Sequence, residues 1–153
     1  MPEKDERERD VAVNRRAYHD YFVDEKYECG VVLTGTEVKS IRAGRCNLRD
    51  GYVRIDGHEA WLENVHISPY AQGNLMNHDP MRPRKLLLHR KQIASLIGKV
   101  RQKGYTLIPL RMYIVRNHVK VEVGLGRGKR QFDKREAIAE RDAKREIERA
   151  VRS

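Results

Sequence analysis

Short β-rich runs, hairpin signals between them and the lack of βαβ alternation predict a mainly β fold with peripheral helices. A small antiparallel barrel of the OB type fits this pattern best, and a two-layer α+β sheet is the alternative. The 153 residues allow one domain and a tail. Three segments are expected: a disordered stretch over 1–13, the barrel over 14–125 and a flexible, helix-prone tail over 126–153.

The first dozen residues are charged and lack apolar periodicity, so order should begin near Asn14. KYECGVVLT, over 26–34, is rich in β-branched residues and predicts a strand. Thr34 and Glu37 then have the spacing of a capping box, and Gly44 is placed to end a helix of about two turns. A strand over CNLRDGYVRIDG, a turn at Asp56-Gly57 and a returning strand over Glu59 to Ile67 should follow, with Trp61 half-buried. Ser68 to Pro83 reads as a long polar loop, the kind that is usually functional or disordered. RKLLLH, over 84–89, predicts a strand. In the next segment Ile93, Leu96, Ile97 and Val100 recur at helical spacing, and Gly104 stops that helix. Tyr105–Arg116 and Val119–Leu125 predict a strand pair around Asn117-His118, with Pro109 marking a bulge or an edge.

The tail reads differently. Gly126 and Gly128 suggest a hinge, and nearly every residue after Phe132 is a good helix former. Glu140 with Lys144 and Glu148 with Arg152 are favourable i,i+4 pairs. The apolar stripe of Ala139, Ala143, Ile147 and Val151 is too thin to offset the ordering of some twenty residues. The tail should therefore fold only against a partner that supplies counter-charge. A solvated terminal helix is the bland alternative.

Charge points to that partner. The chain has 32 Lys+Arg against 22 Asp+Glu, a net +10. A polyanion is the usual partner of such a small basic protein. The surplus is uneven: 1–20 is net −1, 21–125 is net +7 and 126–153 is net +4. Asp79 to Lys103 alone holds eight basic residues and one acid, which predicts one basic sector on the domain. No apolar run approaches a membrane span, and the N-terminus has no apolar signal region, so a cytoplasmic protein is expected. Cys29 and Cys46 lack a second pair for a zinc site and are expected to be ordinary buried or half-buried thiols.

Catalytic signatures are weak. His19, His58, His66, His78, His89 and His118 show no metal-ligand spacing, and no metal or cofactor is expected. The glycine-rich run at Gly124–Gly128 lacks the phosphate-loop spacing. His78-Asp79 could belong to a nuclease or phosphoesterase site, though a loop histidine is far more often simply hydrogen-bonded.

Longer strings carry more information. NRRAYHDYF, GVVLTGTEVKSIRAGRCNLRDGY, HISPYAQGN, NHDPMRPRKLLLH and GKRQFDKRE occur in that order between Asn14 and Arg145. Together they resemble the SmpB family, the SsrA-binding proteins of bacterial trans-translation. The resemblance implies a non-enzymatic OB-type barrel with helices and a basic tail. It implies that the protein binds the tRNA-like domain of tmRNA (SsrA RNA) and works with elongation factor Tu on stalled ribosomes, so that incomplete proteins are tagged. A monomer is expected.

By the same resemblance His19, Tyr21, Glu28, Arg42, Leu87 and His89 would contact tmRNA. Some relatives carry asparagine where this chain has His89. Gly128, Lys129, Arg130, Phe132, Asp133, Lys134 and Arg135 match a tail motif that would act in the ribosomal decoding centre and empty mRNA channel. Relatives often have histidine or tyrosine in place of Phe132, which can stack on a base but cannot donate a hydrogen bond. The competing readings are a general OB-type ribosome- or RNA-binding module and an RNA-processing enzyme built on His78 and Asp79.

Overall fold

In the computed structural model the described residues are 8–70, 77–101 and 104–129, together with Arg145. They form nine strands and three helices. In chain order these are β1 (Arg9–Val13), α1 (Arg15–Asp20), β2 (Tyr21–Val31), α2 (Gly35–Arg42), β3 (Cys46–Asn47), β4 (Tyr52–Asp56), β5 (Glu59–Glu63), β6 (His66–Ile67), β7 (Arg84–Leu87), α3 (Arg90–Val100), β8 (Tyr105–Val115) and β9 (His118–Gly128).

Seven strands make one antiparallel sheet in the order β1-β8-β9-β2-β7-β5-β4, and β3 pairs with β6 in a small second sheet. The mainly β class with few helices is as expected. Closure is not: the sheet curls until β4 lies against β8, but no hydrogen-bonded ladder joins them. The fold is an open, curled sheet rather than a closed barrel.

Local chemistry explains the elements. The Thr34 hydroxyl accepts from the Glu37 N–H and the Glu37 carboxylate accepts from the Thr34 N–H, so the expected capping box starts α2. Gly44 follows the helix at φ +75°. The β4–β5 hairpin turns through Gly57 at φ +60°. The β8–β9 turn is centred one residue earlier than expected. Arg116 (φ +50°) and Asn117 (φ +66°) form it, and Val115 pairs with His118. Two consecutive positive φ values are what the right-handed twist of a tight hairpin requires. Pro109 does mark a bulge, where the register shifts before Arg111.

Order begins earlier than expected. Residues Arg9 to Val13 form β1 and pair with β8 at the sheet edge. Helix α1 was not legible as an apolar stripe because it has six residues and buries Ala17 alone. Asn14 organises it. Its Oδ1 accepts from the Ala17 N–H, while its Nδ2 donates to the carbonyls of Leu48 and Pro109. The expected hinge is also absent. Gly126 and Gly128 lie inside β9, opposite Val23 and Tyr21. A Cβ on Gly124 or Gly126 would come within 3 Å of Leu110 or Ile108, so these glycines permit close strand packing.

The main core includes Cys29, Ile41, Leu62, Leu86, Leu96, Met112 and Val121. A smaller one joins Ala17, Ile108 and Leu110 to Tyr21 and Val23. Burial pushes the Cys29 thiol up to about 12 and the Cys46 thiol up to about 11, and both are free thiols.

The loop before β7 is tied down over its described part. Arg84 is fully buried, and its Nε donates to Glu37 Oε2 at 2.5 Å. Its other nitrogens donate to the carbonyls of Val65, Asp79 and Pro80. Arg82 donates to Glu37 Oε1, and the Ile67 N–H donates to the Pro80 carbonyl. One buried carboxylate thus joins α2, the loop and β7. Desolvation raises the Glu37 pKa, but hydrogen bonds from Arg82, the Thr34 N–H and Arg84 outweigh it and hold the carboxyl below its ordinary range. Burial pulls the Arg84 guanidinium down, the Glu37 carboxylate opposes this, and a guanidinium stays charged throughout.

Candidate nucleic-acid interface

The residues singled out in the sequence fall in three places. The first is the outer face of the sheet. Leu87 on β7 is opposite Gly30 on β2, Gly30 is opposite Lys120 on β9, and Lys120 is opposite Tyr113 on β8. The next row runs from Glu28 to Glu122 to Arg111. Leu87 is 53% exposed, and its side chain lies over Gly30, where a Cβ would come within 3.2 Å of it. β7 ends at Leu87, and His89 follows two residues on as the N-cap residue of α3. His89 caps α3 through its backbone N–H, which donates to Gln92 Oε1. Glu28 and Leu87 therefore lie in neighbouring rows of the outer face, and His89 lies just beyond the end of β7.

A network missed in the sequence holds Glu28. The buried Tyr113 hydroxyl donates to Glu28 Oε2 at 2.5 Å. Arg111 lies over the Tyr113 ring, 3.8 Å from its centroid, and pairs with Glu8, Asp10 and Glu122. Burial, then the Glu28 hydrogen bond, raises the Tyr113 pKa well above its ordinary value, so the phenol remains a donor at neutral pH. No sequence pattern announces contacts between residues this far apart along the chain.

The second place is the α1–β2 junction. His19 has an 87% exposed side chain, and its Nδ1 meets Asp20 Oδ1 at 2.9 Å. That contact, with Arg16, holds the Asp20 carboxyl below its ordinary value despite some desolvation. Tyr21 is half-buried on the smaller core and pairs with Gly128. Lys129 donates to the Tyr18 carbonyl at 3.0 Å, which fastens the start of the tail to α1. Tyr21 and Glu28 are separated along β2 by roughly 20 Å at ~3.3 Å per residue. Arg130, Phe132, Asp133, Lys134 and Arg135 lie outside the described residues.

The third place is at the other end of the sheet. Arg42 is exposed at the end of α2, and its carbonyl accepts from Arg9 Nη2. Arg9, Arg42 and Arg116 line one open groove with Ile114 and Asn117. Among the described residues no carboxylate pairs with any of these three guanidiniums. Arg9 and Arg116 were not singled out, since 33 and 74 residues separate them from Arg42. Such a groove can take phosphate oxygens.

The expected basic sector over 79–103 is divided. Arg82 and Arg84 are held by Glu37, Lys85 pairs with Glu59, and Lys99 pairs with Glu25. Arg90, Lys91 and Arg101 remain exposed without an ion pair among the described residues, and Lys103 lies outside them. His78, on which the nuclease reading was built, is held between α2 and β6. His78 Nε2 contacts the Ile67 carbonyl and Nδ1 contacts the Thr36 hydroxyl, each at 2.8 Å. A carbonyl can only accept, so Nε2 donates to Ile67, and both ring nitrogens are engaged within the protein.

Comparison with known proteins completes the assignment. The family model described as SmpB protein matches residues 11–153. The SsrA-binding protein of Carboxydothermus hydrogenoformans is 59% identical over 146 residues, covering 95% of this chain and 98% of that protein. That of Desulfitobacterium hafniense is 62% identical over 142 residues, covering 93% and 91%. That of Roseiflexus castenholzii is 61% identical over 146 residues, covering 95% and 92%. A chain in the solved structure "tmRNA-SmpB: a journey to the center of the bacterial ribosome" superposes with a TM-score of 0.66 at 50% identity, over 77% of this chain and 83% of that one. By sequence over nearly its whole length, and by fold, this chain belongs to the SmpB family.

Proposed function

We propose that this protein is an RNA-binding factor of trans-translation. It binds tmRNA through its folded domain and brings it to ribosomes that have stalled. The observation that carries this reading is the family match across residues 11–153, with relatives near 60% identity that are SsrA-binding proteins. The reading is one of binding rather than of catalysis.

In detail, Glu28, Leu87 and His89 meet bases on one part of the RNA. A carboxylate held near a polyanion is suited to accept from a base N–H rather than to touch phosphate. His19 and Tyr21 meet a second part, and Arg42 works with Arg9 and Arg116 on the backbone. The residues after Lys129, including Arg130, Phe132, Asp133, Lys134 and Arg135, act in the decoding centre. Elongation factor Tu carries the charged RNA in the same complex, and the protein works as a cytoplasmic monomer.

The test is a rescue reaction on ribosomes stalled at a message end, supplied with alanyl-tmRNA and elongation factor Tu. Tagging of the nascent chain should require this protein. Absence of tagging, with normal RNA binding, would reduce it to a general RNA-binding module. Truncation after Lys129 spares β9 and should preserve tmRNA affinity while abolishing tagging. Alanine at Asp133, Lys134 and Arg135 together should behave as the truncation does.

A further inference from the structure

Glu28 and Glu122 face each other across the β2–β9 ladder, and two carboxylates so placed repel. That repulsion is answered on one side only. Glu122 pairs with Arg111 at 3.3 Å and with Lys26 at 3.9 Å. Arg111 is further committed to Glu8 and Asp10, at 3.2 Å and 2.8 Å. Glu28 forms no ion pair among the described residues, and its side-chain partner there is the Tyr113 hydroxyl, which reaches it across β9. The phenol is 1% exposed and cannot turn to water, whereas Glu28 is exposed. Their contact of 2.5 Å has the length of a charge-assisted O–H···O hydrogen bond. The donor is itself fixed. Tyr113 pairs with Asp10 on one side and Lys120 on the other, and Arg111 covers its ring.

An exposed carboxylate needs no protein partner, because water serves it. One that is held at a single oxygen keeps its charge and loses its freedom, and both favour directional recognition. At Glu28 the phenol engages Oε2, and Oε1 has no hydrogen-bond partner among the described residues. We infer that Tyr113 is a positioning residue for RNA recognition: its hydroxyl holds Glu28 so that Oε1 accepts from a base N–H of the bound RNA. The ligand is a base edge, since a carboxylate only accepts and a phosphate offers it no donor. Arg111 serves the same arrangement by taking the neighbouring acids and leaving Glu28 without a cation. This role rests on the RNA-binding reading above, and it gives a part in that reading to a buried residue that the family resemblance does not assign.

The experiment uses full-length protein, tmRNA and a scrambled RNA of the same length, with thermal unfolding measured first. Tyr113→Phe removes the hydroxyl and keeps the ring. It should bind tmRNA about five- to tenfold more weakly, the order of the cost of fixing one long side chain on binding. The salt dependence of affinity and the affinity for scrambled RNA should not change, because no phosphate contact is lost. In a Glu28→Ala background, Tyr113→Phe should cause no further loss, a coupling that a merely structural hydroxyl would not show. Glu28→Asp keeps the charge but falls short of the phenol. It should also bind tmRNA more weakly, and it remains decisive if Tyr113→Phe does not fold. The positioning role is overturned if Tyr113→Phe or Glu28→Asp binds like the parent, or if Tyr113→Phe costs as much when residue 28 is already alanine. Failure of the RNA-binding reading would show in the parent protein, as equal affinity for tmRNA and the scrambled RNA. Failure of the positioning role alone would show only in the variants.

Discussion

The hub around Glu37 and the groove at Arg9, Arg42 and Arg116 are both built of arginine, and they differ in what stands against it. At the hub one buried carboxylate meets Arg84 and Arg82, and backbone carbonyls take the remaining Arg84 donors. At the groove three guanidiniums line open space without a carboxylate among the described residues. The hub uses charge to join α2, a long loop and β7. The groove leaves charge available to a ligand. Arginine content therefore does not measure how much charge a surface offers, because part of it is neutralised inside.

The comparison can be broken most forcefully at the hub. Arg84→Met removes the fully buried partner of Glu37 and leaves Arg82 as its remaining guanidinium, and removing one partner of a buried pair costs ~3–5 kcal/mol. The expected result is a large fall in the unfolding midpoint by calorimetry. An unchanged midpoint would mean that Glu37 and Arg84 do not hold the fold.

Acid titration separates the two regions next. Glu37 has a folded pKa below its ordinary value of 4.5, so its contribution is fully present above that pH. It is lost as pH falls through the folded value. Stability measured from pH 6 to pH 3 should drop in the parent and drop less steeply in Glu37→Gln, which starts lower. The groove, with no carboxylate among its described lining residues, should add nothing to this slope.

Groove substitutions should show the converse. Arg9, Arg42 and Arg116 changed together to alanine should shift stability by no more than ~0.5 kcal/mol per site, as for ordinary surface changes. Affinity for RNA should fall, and the slope of log affinity against log salt should become shallower by about one per lost phosphate contact. A variant with normal affinity would remove the groove from the interface.

The smallest effect concerns Arg116 alone. It is a bulky residue at φ +50° in a turn where asparagine is better tolerated. Arg116→Asn should raise stability by up to ~1 kcal/mol and weaken RNA binding modestly. A turn that gives up stability for a charge would then be demonstrated.

Much of this was legible along the chain. The capping box at Thr34 and Glu37, the turn at Gly57, the bulge at Pro109 and the amphipathic α3 are local signals, and local signals survive folding. What escaped was non-local or short. Helix α1 depends on Asn14 reaching Leu48 and Pro109, and β1 exists because β8 offers an edge. Gly126 and Gly128 read as a hinge, although both pair within β9 and the missing Cβ of Gly126 serves close packing against Ile108. The candidate RNA contacts came from ordered motifs, which name residues without placing them. The structure spreads them over two ends and one face of the sheet. It also adds Tyr113, Arg111, Arg9 and Arg116 as neighbours.

The central claim is that this folded domain recognises tmRNA in particular. It is tested most directly by binding of full-length protein to tmRNA and to a scrambled RNA of the same length, measured across a salt series. The account predicts tighter binding to tmRNA at every salt concentration, with a gap that persists as the shared electrostatic contribution is screened. Equal affinities that fall together with salt would contradict it.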